Sequence, residues 1–318
     1  MQKLPDPVEI PTNDIALEVF EQGTGPPVVL CHGWPEHAYS WRHQMGPLAD
    51  AGYHVIAPNQ RGYGRSSRPR NVSDYDIVHL AADLTGLLDH FGYDRAVFCG
   101  HDWGAILVWN LAMLHPDRVA GVINLSVPLL LRGPTDWVSH WERILGEDFY
   151  IVHFNRQPGV ADAALDENPR RFLGNLYRTH QWDEPAPEPQ PGMPLINLAR
   201  ASRPRGRPLM SDAELDVFVR AFEHSGFTGG INWYRNFARN WELMADVPEH
   251  VPHPALMIYG RYDIVPTLEN LSDFVPRVQT HTLDCGHWIQ QELPGETNGL
   301  MLDWLGRHYP SNPQRSTT

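Results

Sequence analysis

Cysteine is scarce in this sequence, which contains 3 among 318 residues. An odd number of cysteines does not form a complete disulfide framework, and the N-terminal residues lack the basic segment and apolar core of a secretory signal. Basic residues are also in the minority, since 25 Lys and Arg stand against 38 Asp and Glu and leave a net charge of −13. Such a charge repels phosphate groups, which disfavours nucleic acid and anionic lipid as partners.

Long apolar runs are lacking as well. The longest extends from Val119 to Leu131 and is interrupted by Asn124, Ser126 and Pro128, so it is shorter than the ~20 residues that cross a bilayer. The sequence therefore predicts a cytoplasmic protein without a membrane span. Hydrophobic residues at 42% and charged residues at 20% are typical of a globular protein with a sizeable core.

Short apolar runs alternate with longer helical patterns through residues 1–130, which indicates an α/β fold. The predicted strands, including two near the C-terminus, are Ile15–Glu21, Val28–Cys31, His54–Ala57, Ala96–Cys99, Val119–Leu125, Ala255–Gly260 and Val278–Leu283. The predicted helices are Ser40–Ala51, Ile77–Phe91, Ala105–Leu114 and a closing helix near Thr297–Arg307. Sequential βα units with short connections predict a mostly parallel sheet flanked by helices.

The segment between residues 131 and 246 has a different composition. It is rich in Trp and Arg at helical spacing and contains a proline-dense stretch at Pro185–Pro208. A chain of this length corresponds to about two domains of ordinary size, or to one large α/β domain with an insertion. We therefore expect an α/β core formed by residues 1–130 and 247–318, with residues 131–246 inserted as a mainly helical lid.

The clearest chemical motif is GHDWG at residues 100–104, directly after the strand predicted at Ala96–Cys99. A nucleophile elbow is a sharp turn between a strand and a helix, and it needs small residues two positions before and after the nucleophile. Glycine occupies both positions here, at Gly100 and Gly104. The spacing predicts that Asp102 stands where hydrolases of this architecture usually carry serine.

A carboxylate nucleophile restricts the reaction. A serine oxygen attacking a saturated carbon would form an ether that water does not readily cleave, whereas a carboxylate forms an ester that water hydrolyses at its carbonyl. Asp102 therefore predicts displacement at a saturated carbon, with a halide or the oxygen of a strained epoxide as the leaving group. An ordinary esterase or lipase is not expected, because the attacking hydroxyl is missing.

Hydrolysis of such an ester needs a general base and an acid that orients it, in the chain order nucleophile, acid, histidine. Asp263 follows the strand Ala255–Gly260, and His287 follows the strand Val278–Leu283. Strand ends of this kind carry the sites of α/β sheets. Asp263 is the predicted acid and His287 the predicted base. Asp284 lies nearer to His287 in sequence and is the rival acid, although its position is equally typical of a turn.

The string HGWPE at residues 32–36 follows another predicted strand. We expect the backbone N–H groups of Trp34 in this loop and of Trp103 after the nucleophile to stabilise the oxyanion that forms when water attacks the ester of Asp102. Pro35 is expected to hold the loop in a special turn, and a cis Trp34-Pro35 bond is one way to form it.

Together these motifs resemble the soluble-type epoxide hydrolases of the α/β-hydrolase fold. The resembling strings span nearly the whole chain and are HGWPE, RGYGRSSRP (61–69), GHDWG, FYIVHFNRQPGVAD (149–162), SGFTGGINWYRN (225–236) and DCGHWIQQE (284–292). The resemblance implies that water converts a small-molecule epoxide to a vicinal diol, and that two lid tyrosines, here Tyr150 and Tyr234, hydrogen-bond and help to protonate the epoxide oxygen. Mammalian members carry an additional N-terminal phosphatase domain, whose activity is not expected here.

A haloalkane or haloacid dehalogenase, which uses the same aspartate nucleophile on the same fold, is the alternative function. A halide needs N–H donors, whereas an epoxide oxygen needs acidic hydroxyl groups. The string that contains Tyr234, together with Pro35, therefore favours the epoxide. Some dehalogenases carry the acid after the strand Val119–Leu125, where this chain offers only Asn124 and Ser126. A binding protein that has lost catalysis is not favoured, since a nucleophile, an acid and a base are all present.

Each cysteine lies close to a histidine at a predicted strand end, which raises the alternative of a zinc site. The pairs are Cys31 with His32, Cys99 with His101, and Cys285 with His287. None has the C-x-x-C spacing, and cysteine is a small apolar residue suited to buried strands. We therefore expect no metal and no cofactor. The sequence leaves monomer and homodimer open.

Overall fold

The computed structural model describes residues 3–185, 190 and 192–311 of the chain. Its strands, in chain order, are β1 (Val8–Thr12), β2 (Ile15–Gln22), β3 (Pro27–Cys31), β4 (His54–Asn59), β5 (Ala96–His101), β6 (Val119–Leu125), β7 (Arg178–Thr179), β8 (Arg207–Pro208), β9 (Ala255–Gly260) and β10 (Val278–Leu283). Strands β7 and β8 form a short antiparallel ribbon, and the others form one large sheet.

The large sheet has the strand order β1-β2-β4-β3-β5-β6-β9-β10. The pairs β1–β2 and β2–β4 are antiparallel, and the other neighbouring pairs are parallel. The mostly parallel sheet expected from the sequence is thus confirmed. The carboxyl ends of β3, β5, β6, β9 and β10 meet at one edge of the sheet, which is where ligands bind in such folds.

The helices, in chain order, are α1 (Arg42–Asp50), α2 (Ile77–Phe91), α3 (Trp103–Leu114), α4 (Trp137–Leu145), α5 (Tyr150–Arg156), α6 (Val160–Asp166), α7 (Pro169–Leu176), α8 (Pro194–Arg200), α9 (Asp212–Ser225), α10 (Thr228–Arg235), α11 (Phe237–Leu243), α12 (Leu271–Phe274), α13 (Ile289–Glu292) and α14 (Pro294–His308). Short 3-10 helices occur at Ala38–Trp41, Val72–Tyr75, Pro116–Arg118 and Gln181–Asp183. None of the helices in the described part of the chain could span a membrane.

Two apolar cores form because the side chains of the central strands alternate between the faces of the sheet. Val28 and Leu30 of β3 join the core beneath α1 and α14, whereas Val29 and Cys31 join the core that includes α2 and α3. All residues of β3, β4, β5 and β9 are buried. The sheet is therefore covered on both faces, as the continuous apolar runs of these strands predict.

Several predicted elements have the bounds that the structure shows, namely α2, β6, β9 and β10. The helix predicted at Ala105–Leu114 begins earlier, at Trp103, because the chain turns into α3 directly after Asp102. The helix predicted at Ser40–Ala51 divides into the 3-10 helix Ala38–Trp41 and α1.

Strand β1 is not among the strands predicted from the sequence. Its five residues include Pro11, and only Ile10 and Thr12 are buried, so the alternating pattern is short. Proline is tolerated in this strand because β1 lies at the edge of the sheet and pairs only with β2.

Between β6 and β9 the described chain forms helices α4 to α11 and the ribbon of β7 and β8, all within the segment expected to be the lid. Residues 186–189 and 191 of the proline-dense stretch lie outside the described residues, and the remainder of that stretch contains α8 and β8. The indole N–H of Trp233 in α10 donates to the carbonyl of Arg61 at 3.1 Å, and Glu214 in α9 pairs with Arg42 at 3.0 Å. These contacts join the lid to the core.

Candidate active site

Asp102 occupies the turn between β5 and α3. Its backbone has a φ of 53° and a ψ of −120°, and a positive φ is rare for a residue with a side chain. A Cβ atom at Gly104 would lie 2.0 Å from the carbonyl oxygen of Cys31, and one at Gly100 would lie 2.4 Å from the backbone of Gly104. The two glycines therefore permit the close approach of strand and helix that a nucleophile elbow requires.

The Asp102 carboxylate faces the loop that follows β3. The N–H of Trp34 in this loop donates to Oδ1 of Asp102 at 2.8 Å, and the Trp34-Pro35 peptide bond is cis. A Cβ atom at Gly33 would lie 2.4 Å from Cβ of Asp102. Trp103, the other residue expected to supply an N–H, follows Asp102 directly and begins α3. One oxygen of the carboxylate is therefore held by the backbone.

His287 lies between two carboxylates. Its Nε2 is 3.6 Å from Oδ2 of Asp102, and its Nδ1 is 2.9 Å from Oδ1 of Asp263. The side chain of Asp263 is 2% exposed. The rival acid, Asp284, is 74% exposed and pairs with Arg261. The fold thus brings Asp102, His287 and Asp263 together and leaves Asp284 at the surface.

For His287 and Asp263, the neighbouring charges and burial shift the pKa in opposite directions. Burial lowers the pKa of the His287 imidazole, but the charge of Asp263 and hydrogen bonds with Asp102 and Asp263 raise that pKa well above its ordinary value of 6.5. Burial raises the pKa of Asp263, but the charge of His287 and hydrogen bonds from His287 and Ser126 lower it to about 2. At neutral pH the free site therefore favours an imidazolium that is held by carboxylates.

Tyr150 and Tyr234 lie side by side although they come from different helices of the lid. Tyr150 is the first residue of α5 and Tyr234 belongs to α10, and their ring centroids are 5.7 Å apart. The ring of Tyr234 packs edge-on against Trp34 at 5.4 Å and Trp103 at 5.0 Å. Burial, helped by the negative charge of Asp102, raises the pKa of both hydroxyls. Both phenols are therefore neutral hydrogen-bond donors at neutral pH.

Ser126 also belongs to this group, although no role in it is predicted from the sequence. It follows β6 with a φ of 70° and is 1% exposed. Its Oγ lies 2.6 Å from Oδ2 of Asp263 and 3.0 Å from Nδ1 of His287. The only signal in the sequence was its position after β6, where some dehalogenases carry their acid.

Glu36 and His101 form a buried pair behind the site that is not predicted from the sequence. Nδ1 of His101 lies 2.7 Å from Oε2 of Glu36, and Nε2 of His101 lies 2.8 Å from the carbonyl oxygen of His287. Burial raises the pKa of Glu36, but the charge and hydrogen bond of His101 and the N–H of Gly33 lower it to about 2. The pair connects the loop of Trp34 with the loop that carries His287.

The three cysteines are buried and form no disulfide. Burial raises the pKa of each thiol, and that of Cys285 reaches about 12. Within the described ranges, no group of three or more His, Cys, Asp and Glu residues is arranged to hold a metal ion.

This chain is similar in sequence to one protein family and to several named proteins. The family described as the alpha/beta hydrolase fold matches residues 26–293. Epoxide hydrolase A of Mycobacterium tuberculosis is 45% identical over 309 residues, which cover 93% of this chain and 96% of that protein. Bifunctional epoxide hydrolase 2 of Sus scrofa is 36% identical over 92% of this chain and 53% of that protein, so the chain spans about half the length of this bifunctional relative.

Solved structures are similar over nearly the full length. The crystal structure of epoxide hydrolase A from Mycobacterium thermoresistibile has a TM-score of 0.85 at 43% identity and covers 95% of this chain and 98% of its own. Epoxide hydrolase I of potato, Solanum tuberosum, has a TM-score of 0.86 at 31% identity and covers 96% of this chain and 100% of its own. The likeness therefore includes the lid as well as the sheet.

Proposed function

This chain belongs to the α/β-hydrolase fold family and is an epoxide hydrolase, and we propose that it forms a vicinal diol through a covalent ester on Asp102. One observation carries the proposal. His287 lies 3.6 Å from Oδ2 of Asp102 on one side and 2.9 Å from Oδ1 of Asp263 on the other. A base between a nucleophile and an orienting acid is the arrangement that hydrolysis of an enzyme ester needs.

The first half of the reaction opens the epoxide ring. Oδ2 of Asp102 attacks one ring carbon while the bond from that carbon to the epoxide oxygen breaks. Oδ1 stays on the N–H of Trp34, 2.8 Å away. The electron pair of the broken bond goes to the epoxide oxygen, which takes a proton from the hydroxyl pair of Tyr150 and Tyr234. The products of this half are an alkyl ester of Asp102 and a tyrosinate.

The ester then changes the state of the base. Esterification removes the negative charge of Asp102, which is one of the groups that raise the pKa of His287. With that charge gone the imidazolium is a stronger acid, and its proton restores the tyrosine hydroxyl. His287 is then neutral and able to act as a general base, while Asp263 keeps its ring oriented.

The second half of the reaction hydrolyses the ester. His287 takes a proton from a water molecule as the water oxygen attacks the carboxyl carbon of Asp102. The backbone N–H groups of Trp34 and Trp103 stabilise the oxyanion of the tetrahedral intermediate. Collapse of that intermediate breaks the bond to the alkyl oxygen, which takes the remaining carboxyl proton and leaves as the diol. Asp102 is again a carboxylate and His287 an imidazolium, so all protons are accounted for.

The dehalogenase alternative is not favoured, because the relatives and solved structures reported above are epoxide hydrolases. The two tyrosines support the same choice. Their hydroxyls supply the proton that an epoxide oxygen requires, whereas a halide leaves without one. The small-molecule partners are an epoxide and water. The cytoplasmic location remains a prediction from the sequence, and fractionation of cells that express the tagged chain tests it.

The mechanism is tested by intact-protein mass measurement on the His287→Gln variant. Without the base the reaction should stop at the ester, so exposure to styrene oxide should add the full mass of the epoxide. Peptide mapping should place the added mass on Asp102. The Asp102→Asn variant is the control and should show no addition.

Each other outcome contradicts part of the proposal. A folded His287→Gln variant that gains mass only from a small haloalkane, less the mass of the hydrogen halide, would favour the dehalogenase. An adduct on a residue other than Asp102 would show that the nucleophile is wrong. Turnover of styrene oxide by the unmodified chain without any trapped adduct in the variant would exclude a covalent ester.

A further inference from the structure

Glu292, the last residue of α13, binds both backbone N–H groups that flank the base. Its Oε2 accepts the N–H of Gly286 at 3.0 Å, and its Oε1 accepts the N–H of Trp288 at 3.1 Å. His287 is the residue between them. The carbonyl of His287 is also bound by His101 at 2.8 Å, so three hydrogen bonds hold the backbone around His287.

The same carboxylate is bound from the lid. The hydroxyl of Thr179 in β7 donates to Oε2 of Glu292 at 2.5 Å. Oε2 therefore receives one hydrogen bond from the lid and one from the loop of His287. Hydrogen bonds to an ionised group are stronger than those between neutral groups. Strand β7 of the lid and the loop of His287 are therefore bound to the same carboxylate oxygen.

A second lid side chain lies over the same loops. The ring of Trp182 stacks on Tyr262 with centroids 4.5 Å apart and an interplanar angle of 10°. Tyr262 directly precedes the acid Asp263. A Cβ atom at Gly286 would lie 2.8 Å from the Trp182 ring and 3.0 Å from a carboxylate oxygen of Glu292. The lid segment 179–182 therefore touches both the loop of the base and the loop of the acid.

We propose that Glu292 is a positioning residue for ester hydrolysis and that Thr179 makes this positioning depend on the lid. This inference rests on the proposed function. Attack by Asp102 on the epoxide uses no base, so it does not need the fixed position of His287. Activation of water does, because small displacements of a base from the water whose proton it accepts reduce the rate strongly. The pair Thr179–Glu292 therefore controls the second half of the reaction and leaves the first half unaffected.

The test measures the two halves separately by stopped-flow tryptophan fluorescence with styrene oxide as the probe. Glu292→Gln presents an NH₂ group to one of the two N–H donors and so loses a charge-assisted hydrogen bond. We expect ester hydrolysis to slow by about tenfold, as expected for loss of a hydrogen bond to a charged group, while the alkylation rate stays unchanged. Rapid quenching and mass measurement should show more Asp102 ester at steady state.

Matched variants separate positioning from folding. Glu296→Gln is the same substitution at an exposed site in the first turn of α14, and it should leave both rates unchanged. Thr179→Val should slow hydrolysis, and Thr179→Ser, which keeps the hydroxyl, should restore it. The pair of Thr179 variants decides the question even if Glu292→Gln does not fold.

Three results would overturn the inference. Equal reduction of the alkylation and hydrolysis rates would indicate a general loss of structure. An unchanged hydrolysis rate in Thr179→Val would show that the lid does not take part in positioning His287. An unchanged hydrolysis rate in Glu292→Gln would show that the carboxylate does not position it. The unmodified chain, measured in the same experiment, reports on the proposed function alone, because a wild-type chain that forms no ester refutes both.

Discussion

The Oγ atom of Ser126 lies 2.6 Å from Oδ2 of Asp263, and the two residues come from the ends of neighbouring strands, β6 and β9. Ser126 adopts a φ of 70°, a conformation that a residue with a side chain adopts at a cost in free energy. The hydroxyl is thereby directed at the acid and at His287. The contact indicates that Ser126 holds the carboxylate in the orientation that His287 needs.

The variant Ser126→Ala tests that relationship. Removing the hydroxyl takes one hydrogen bond from the Asp263 carboxylate, and we expect ester hydrolysis to slow by about tenfold. Alkylation of Asp102 should keep its rate, because that step does not use the base. Single-turnover kinetics with styrene oxide measure both steps, and an unchanged hydrolysis rate would contradict a role for the serine.

Asp263 and Asp284 are expected to behave differently on the same substitution. Asp263→Asn removes the charge that orients His287, and ester hydrolysis should fall by about 10³-fold or more. Asp284→Asn removes only an exposed ion pair with Arg261, which contributes little, so turnover should be nearly unchanged. Both variants are assayed for turnover of styrene oxide. A large loss in Asp284→Asn would show that the exposed carboxylate takes part.

The hydroxyl groups of Tyr150 and Tyr234 are expected to act in ring opening. Each Tyr→Phe variant should reduce the alkylation rate by about tenfold and the double variant by about 10²-fold, because general acid catalysis is lost. Tyr63→Phe is the control, since the buried hydroxyl of Tyr63 has no hydrogen-bond partner among the described residues. An equal loss in this control would point to packing instead of proton donation.

The pH dependence of hydrolysis follows from the raised pKa of His287. In the free protein the charges of Asp263 and Asp102 stabilise the imidazolium, and esterification of Asp102 removes one of them. Ester hydrolysis needs the neutral imidazole, so its rate should rise with pH, with an apparent pKa below that of His287 in the free protein. Stopped-flow rates between about pH 5 and pH 10 give the first value, and NMR titration gives the second. Equal values, or a rate that falls as pH rises, would contradict the mechanism.

The nucleophile elbow makes a prediction about stability. A Cβ atom at Gly104 would lie 2.0 Å from the backbone oxygen of Cys31, so Gly104→Ala should destabilise the fold by about 4 kcal/mol or prevent folding. Gly299→Ala is the matched control, because Gly299 lies inside α14 with open space around it. That variant should gain about 0.5–1 kcal/mol from helix propensity. Thermal unfolding compares them, and equal stability of the two variants would refute the steric argument.

The local sequence determined the fold class and the elements whose signal is local. Strands β6 and β9 and helix α2 have the predicted bounds because the two strands are mainly apolar runs and α2 is a regular helical pattern. Strand β10 has the sequence VQTHTL and also has the predicted bounds, because β-branched residues favour a strand. Strand β1 was missed, since an edge strand that contains Pro11 has a weak pattern and depends on pairing with β2.

The proposed nucleophile and its two proposed partners could be predicted because chain order and strand ends constrain their positions. Asp102, Asp263 and His287 all follow parallel strands of the sheet, and the carboxyl ends of such strands meet at one edge. Tyr150 and Tyr234 could be predicted only from the resemblance to a family. The chain has 11 tyrosines, and the positions of active-site residues in the lid do not follow from strand ends.

Only the tertiary structure decided the surroundings of these residues. The site is contacted by side chains from distant segments: the hydrogen bonds of Ser126, Glu36 and His101 join residues that are 65 to 186 positions apart. Glu292 accepts hydrogen bonds from the N–H groups on both sides of His287. A hydrogen bond between distant segments leaves no periodicity or spacing in the sequence. The residue types and their order determined which chemistry is available, and the folded backbone determined which side chains hold the reacting groups in place.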